Sequence, residues 1–320
     1  PGDGSRTTPR RPMTAWKGRV TGTLMVLGAA TAWGLMGTLA RYLFTTGEVG
    51  PLALTAIRSS LAVLVLVGGL LVWDQRQLRL SLKDVPLVAL VGVAGLAMAN
   101  VTYYYTISLT SVATAILLQY MAPILVALAS VLFLRERLTW MTLLALGLAV
   151  GGCFLMVKGH DPTLLRLNLP GLISGFLSAC AFAGYTLLTK RAVARIPAWT
   201  LLAYAYAFAT LFWWMVTPPW RLLAEGYPIR LWAIFFLIGA AGTVLPFALY
   251  TFGLTYLPAT QVSIVSTMEP VVAAGAGFAL LGEVLDWSQL FGGALVVTGV
   301  VLVQQGSAAR SVPEAKPAGY

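Results

Sequence analysis

The sequence predicts an all-α integral membrane protein: ten transmembrane helices in two inverted five-helix repeats, with the N- and C-termini cytoplasmic. Three observations lead there. First, 58% of the 320 residues are hydrophobic and only 10% charged, with a mean hydropathy of +0.83. A soluble domain carries about 25% charged residues, so this chain cannot cover itself with a polar surface and its solvent is largely hydrocarbon. Second, the apolar residues fall into ten blocks, each near the roughly 20 residues that span a bilayer as a helix. Third, the second half of the chain repeats the first.

Taken in order, the first block, 20–43, holds Trp33 and, near its end, Arg41. The second, 51–73, contains LAVLVLVGGLLVW, apolar on every face as a span is and a surface helix is not. Arg58 lies early in it. The third, 86–107, carries Asn100 and Tyr103; the fourth, 112–134, carries Gln119, Tyr120 and a midway Pro123. The fifth, 140–157, and sixth, 169–189, contain Gly147 with Gly151 and Gly171 with Gly175, small-xxx-small spacings expected to pack these spans closely. Tyr185 is in the sixth. The seventh is 199–217, the eighth, 231–253, holds Pro246 and Tyr250, the ninth, 259–281, holds Glu269 and Pro270, and the tenth is 288–304. Pro258 is expected to cap the start of the ninth.

The repeat is ungapped over residues 103–140 and 250–287, where Tyr103 falls on Tyr250, Met121 on Met268, Pro123 on Pro270, Glu136 on Glu283 and Trp140 on Trp287. TAWGLMGTLAR (31–41) matches CAFAGYTLLTK (180–190) more weakly. Leucines agree cheaply between apolar helices, but proline, glutamate and tryptophan held in register do not. The predicted organisation is a polar arm (1–17), a first repeat (18–157), an external linker (158–168), a second repeat (169–305) and a tail (306–320). Five spans per repeat turn the second copy upside down relative to the first, the plan that lets two similar halves expose one midplane site to either side in turn.

Charge sets the orientation. With the N-terminus inside, the cytoplasmic side receives Arg6, Arg10, Arg11, Lys17, Arg19, Arg76, Arg79, Lys83, Arg135, Arg137, Lys190, Arg191, Arg195, Arg310 and Lys316. The other side receives only Lys158, Arg166, Arg221 and Arg230. The net charge of +10 is thus an interfacial bias and not a nucleic-acid footprint. Cys153 and Cys180 sit in apolar segments without metal-ligand spacing, and the single histidine, His160, sits in a loop. No metal or cofactor is expected. With no GxSxG, HExxH or GxxxxGK[ST] motif, enzymatic chemistry and ATP-driven transport are both disfavoured.

Candidate site residues follow from the repeat. Pro123 and Pro270 each remove a backbone donor midway along a span, and with Pro246 they are candidate helix breaks or gates. Glu269 is a midspan carboxylate, suited to a substrate amine, a coupled proton or hydrogen bonds from neighbouring helices. Arg58 is a candidate charged partner, as a substrate-carboxylate ligand or as a snorkelling or ion-paired structural residue. Trp33, Asn100, Tyr103, Gln119, Tyr120, Tyr185 and Tyr250 supply rings and amides for a substrate pocket. Glu136 and Glu283 are expected to tie a span end to the turn that follows. Trp73, Trp140, Trp213, Trp214, Trp220 and Trp287 are expected as interface anchors.

AATAWGLMGTLAR (29–41), LQYMAPILVALASVLFLRERLTW (118–140) and VSTMEPVVAAGAGFALLGEVLDW (265–287) resemble the EamA branch of the drug/metabolite transporter superfamily. The likeness covers essentially residues 18–305, and within the branch it points to amino acid exporters of the YddG type. It implies ten helices in inverted repeats, a cavity lined by spans 1, 3, 4, 6, 8 and 9, and export of small metabolites from the bacterial inner membrane, with neutral or aromatic amino acids as the best match. Amines, drugs and nucleotide-type metabolites remain alternatives, as does a non-transporting binding protein or scaffold. The implied partners are membrane lipids and a small-molecule substrate, with proton coupling left open.

Overall fold

The structure is a computed structural model that describes residues 12–45, 47–163, 165 and 168–308. The arm before Pro12, Arg166 and the tail after Ala308 lie outside the described residues, as does the side chain of Arg41. The helices are α1 (Pro12–Thr45), α2 (Pro51–Trp73), α3 (Val85–Leu109), α4 (Val112–Phe133) and α5 (Trp140–Met156) in the first half. In the second half they are α6 (Leu169–Ala192), α7 (Ala198–Val216), α8 (Ile229–Tyr256), α9 (Ala259–Leu281) and α10 (Trp287–Ala308). Among the described residues, nine are long and apolar enough to cross a membrane, which makes this a multi-pass membrane protein. The remaining one, α5, has 17 residues, the lower end of the roughly 17–25 that suffice. Helix α1 begins at Pro12, inside the segment expected to be a polar arm.

The helix starts follow local chemistry. Ser111, Thr139 and Asn168 accept the backbone N–H of Thr114, Thr142 and Gly171 at 3.1, 3.1 and 2.8 Å, capping α4, α5 and α6. Pro51 opens α2 and Pro258 is the N-cap residue of α9, positions where a missing N–H costs nothing. Helix α9 stops at Gly282, whose φ of +68° is the left-handed conformation glycine adopts freely.

Four helices are interrupted, in two matching pairs. In α4 the segments Val112–Gln119 and Ala122–Phe133 are separated by a turn at Tyr120 and Met121; in α9 Ala259–Ser266 and Met268–Leu281 are separated at Thr267. Pro123 and Pro270 sit just past these breaks. Helices α3 and α8 each contain a π-helical stretch, Val91–Ala97 and Ala240–Val244. Pro246 follows the second, but Ala99 holds the corresponding place in α3, so proline alone does not cause the π turns.

Large apolar side chains face outward, Leu132 at 74% and Phe291 at 61% exposure, as lipid contact requires, while alanines, glycines and threonines fill the interior. Helices α5 and α10 meet along a glycine seam: a Cβ on Gly152 would stand 2.5 Å from the Gly292 carbonyl, and one on Gly299 2.7 Å from that of Ala145. Gly171 and Gly175 of α6 press against Thr110 and Leu118, as their spacing suggested. Gly147 and Gly151 do not pack: they face open space, because the inner face of α5 is set by Gly152.

The two halves pack against each other alike over most of their surface. Helix α1 lies along α8 and α9 as α6 lies along α3 and α4, and α2 meets α7 as α5 meets α10. They differ at the ends. At one end the second segment of α4 packs against the first segment of α9, and α6 packs against α9 and α8. At the other end the equivalent pairs, α9 with the first segment of α4 and α1 with α4 and α3, make no comparable packing among the described residues. The closed end is pinned by side chains. The Glu136 carboxylate accepts from Ala259 N at 2.7 Å and from Thr260 Oγ1 at 2.8 Å, capping α9. Lys190 Nζ donates to the Leu254 and Leu257 carbonyls at 2.6 and 2.8 Å, and Ser130 and Thr260 hydroxyls meet at 2.7 Å. Glu136 therefore ties its span end to α9 in the other half, and not to the following turn: the free N–H groups at the start of α9 attract a carboxylate more strongly than a turn does.

Candidate functional site

Five rings from α1, α6 and α8 form the centre of the bundle. Trp33 stands 5.0 Å from Phe247 and 5.4 Å from Tyr250, and Tyr185 stands 5.6 Å from Phe247 and 6.1 Å from Tyr250, ring centre to ring centre. Phe182 completes the group at 6.5 Å from Trp33. These are the separations at which aromatic pairs attract beyond simple burial. Tyr185 and Tyr250 are fully buried core residues in this state rather than wall residues. Their hydroxyls reach Thr251 and Thr186 at 3.4 and 2.8 Å. Trp33 is partly buried, and is placed by Gly34, whose missing Cβ lets α1 approach the Glu269 carbonyl.

Glu269 lies in the first turn of the second segment of α9. Tyr103 from α3 and Tyr120 from the α4 break are its electrostatic neighbours, and all three are partly buried, as is Gln119. Among the described residues nothing hydrogen-bonds or ion-pairs with the Glu269 carboxylate. The α9 break brings Cys153 of α5 to the Thr267 carbonyl, a weak thiol bond at 3.9 Å. Both breaks thus face the same interior, with Pro123 and Pro270 behind them.

Arg58 and Asn100 belong to a separate recess. Arg58 Nη2 donates to Asn100 Oδ1 at 2.6 Å, while Asn100 Nδ2 donates to the Leu96 carbonyl at 2.7 Å. A small cavity there is lined by Arg58 and Ser59 of α2, Leu96 and Asn100 of α3, Tyr206 and Trp213 of α7, and Thr243 and Phe247 of α8. Both π-helical stretches contribute to its wall.

The sequence-derived residues therefore fall into three groups: Glu269 with Tyr103, Gln119 and Tyr120; Trp33 with the buried Tyr185 and Tyr250; and Arg58 with Asn100. Pro246 lies buried next to Phe247 in α8. Sequence reasoning missed Phe182, Phe247 and Tyr206. The first two were open to discovery, since Phe182 is the repeat counterpart of Trp33 and Phe247 that of Asn100. Trp213, expected as an interface anchor, is buried at 1% exposure, whereas Trp287 at 86% fits that expectation. Among the described residues no cluster of histidine, cysteine and acidic side chains could hold a metal, and Cys153 and Cys180 are free thiols.

The family described as EamA-like transporters matches this chain twice, over residues 20–158 and 169–304, which divides it where the internal repeat does. Among curated proteins, the uncharacterized inner membrane transporter YicL of Salmonella typhimurium is 28% identical over 91% of this chain and 97% of its own. The threonine/homoserine exporter RhtA of Escherichia coli is 28% identical over 84% of this chain and 85% of its own. The pseudopaline exporter CntI of Pseudomonas aeruginosa is 26% identical over 89% and 96%. One crystal structure superposes with a TM-score of 0.74 at 20% identity, over 91% of this chain and 99% of that one, a likeness of fold.

Proposed function

We propose an alternating-access transport cycle for this chain, which belongs to the EamA-like transporter family: two inverted five-helix repeats export a small metabolite through a midplane site. Membership makes it a secondary transporter of small metabolites across a membrane. The observation that carries the finer reading is the broken symmetry of the ends. Two repeats that pack alike elsewhere are joined by α4 and α9 at one end and stand apart at the other, as one of two exchangeable states requires. The same reading gives ten spans and cytoplasmic termini from the basic-residue bias, so the closed end, which holds the N-terminal part of α1 beside Tyr256, faces the cytoplasm. The state is then outward-open.

Neutral or aromatic amino acids are the proposed cargo in a bacterial inner membrane, after the YddG type of exporter and in keeping with a threonine/homoserine exporter among the relatives. Trp33, Tyr103, Gln119, Tyr120 and Glu269 present rings, an amide and a carboxylate without a bonded partner to such a molecule. Tyr185 and Tyr250 join the wall as the repeats rearrange. The breaks beside Pro123 and Pro270, with the π turn before Pro246, are the hinges. Glu269 serves either the substrate amine or a coupled proton, and the two separate on substitution: Glu269→Gln removes the pH dependence of flux if it carries the proton, and leaves it intact while weakening amine binding if it does not.

The experiment is counterflow in liposomes holding the full chain, with labelled neutral, aromatic, basic and acidic amino acids. Saturable flux of neutral amino acids, competed by unlabelled ones, is the expected result. Correctly inserted protein that moves none of them overturns the amino acid reading, and binding without flux for any metabolite favours the scaffold alternative.

A further inference from the structure

Arg58 is a cation set in a transmembrane helix, and no described residue balances its charge. No acidic side chain among the described residues ion-pairs with it. Its guanidinium carries five donors, of which one bonds Asn100, and its Nε is buried without a hydrogen-bond partner. An uncompensated charge in a membrane interior is costly. Snorkelling does not relieve the cost, because the head is held inward against α3 by Asn100 at 2.6 Å. Arg58 also lines a small recess together with Ser59, Tyr206, Thr243 and Phe247.

The repeat provides an internal control. Features that hold the fold together occur twice: the α4 and α9 breaks, the two π stretches, and Gly152 with Gly299 in the α5–α10 seam. Counted from the helix start, α7 carries Ala205 where α2 carries Arg58, and α8 carries Phe247 where α3 carries Asn100. The fold does not need a charged pair at this place, since one half is built without it. Leu96 and Thr243, one from each π stretch, both line the recess.

We infer that the Arg58 recess, which has room for about one water molecule in this conformation, widens into a carboxylate-binding subsite, taking the anionic group of a small organic acid whose apolar part lies against Phe247. Planar N–H pairs of a guanidinium match the two oxygens of a carboxylate, and Phe247 is the shared wall: its ring is 5.7 Å from Tyr206 in the recess and 5.0 Å from Trp33 in the central cluster. The inference rests on the transport reading only in making that carboxylate part of the cargo.

The test compares benzoate with benzamide, equal in size and different in charge, by the melting temperature of the purified full chain in detergent at constant ionic strength. Benzoate is expected to raise it in a saturable way and benzamide not to. Arg58→Gln weakens the benzoate response at least about tenfold, the worth of a charge-assisted hydrogen bond. Asn100→Asp, nearly the same shape, supplies a fixed internal carboxylate: the protein stays folded and the benzoate response disappears. Arg58→Lys keeps a weaker response, so the outcome does not hang on the folding of one variant. Equal effects of benzoate and benzamide, or a benzoate response that survives both Arg58→Gln and Asn100→Asp, overturn the subsite. Amino acid counterflow without a benzoate response rejects the subsite and leaves the transport reading. A benzoate response without flux does the reverse.

Discussion

At the scale of single residues, the interior separates rings that are fully buried from rings that are only partly so. Trp33 and Tyr103 are partly buried in the interior, while Trp287 is 86% exposed at the start of α10. Trp33→Ala and Tyr103→Ala are therefore expected to raise the KM of counterflow more than Trp287→Ala, and equal small effects for all three contradict this pocket. Glu136 makes a different prediction. Its carboxylate caps α9 from α4, so Glu136→Ala removes charge-assisted bonds worth about 1–3 kcal/mol. In a chain freed of Cys153 and Cys180, a cysteine at Thr260 should then react faster with a membrane-impermeant maleimide, and unchanged labelling contradicts the role. Trp33, Tyr103 and Glu269 stood out in the sequence as polar or aromatic residues inside apolar blocks. The Glu136 bonds did not, because their donors, the Ala259 and Thr260 N–H groups and the Thr260 hydroxyl, lie more than a hundred residues away, which no local pattern announces.

At the scale of helices, the apolar blocks and the observed spans agree closely, for example 51–73 against Pro51–Trp73 and 112–134 against Val112–Phe133. Hydrophobic length is a local property and reads directly from sequence. Which face of a helix packs is not local. Gly147 and Gly151 have the spacing of a packing motif yet face open space, while Gly152 and Gly292 make the contact. Gly152→Ala is expected to force α5 and α10 apart at a cost of about 1–3 kcal/mol. Gly147→Ala should instead be neutral or gain up to about 1 kcal/mol of helix propensity. Thermal melting of the two variants in one detergent separates them, and equal melting temperatures contradict the seam.

For the whole molecule, the proposed cycle exchanges two states through the repeat. Ser130 and Thr260 touch at the closed end, and the shift of the repeat carries this pair onto Gly277 and Ala113 at the open end. Cysteines at 130 and 260 should cross-link in the state described here and stop flux. Cysteines at 113 and 277 should cross-link only in the opposite state. A side chain at Gly277 displaces no more than the end of the flexible Glu283 carboxylate, 2.5 Å from the added Cβ. If substrate fails to change the balance between the two cross-links, the exchange of states is refuted.

The sequence by itself determined the membrane, the approximate positions of the apolar helices, the doubling of the chain and the places where α4 and α9 break, because each depends on hydropathy along the chain or on a residue's own backbone chemistry. Only the tertiary structure decided that Tyr185 and Tyr250 are buried with their hydroxyls paired, that α3 and α8 carry π turns, that Arg58 lines a recess without a counter-charge among the described residues, and that the halves pack together at one end and not at the other. Those depend on which surfaces meet across the two halves, and a repeat that is symmetric in sequence carries no mark of the end at which its symmetry is broken.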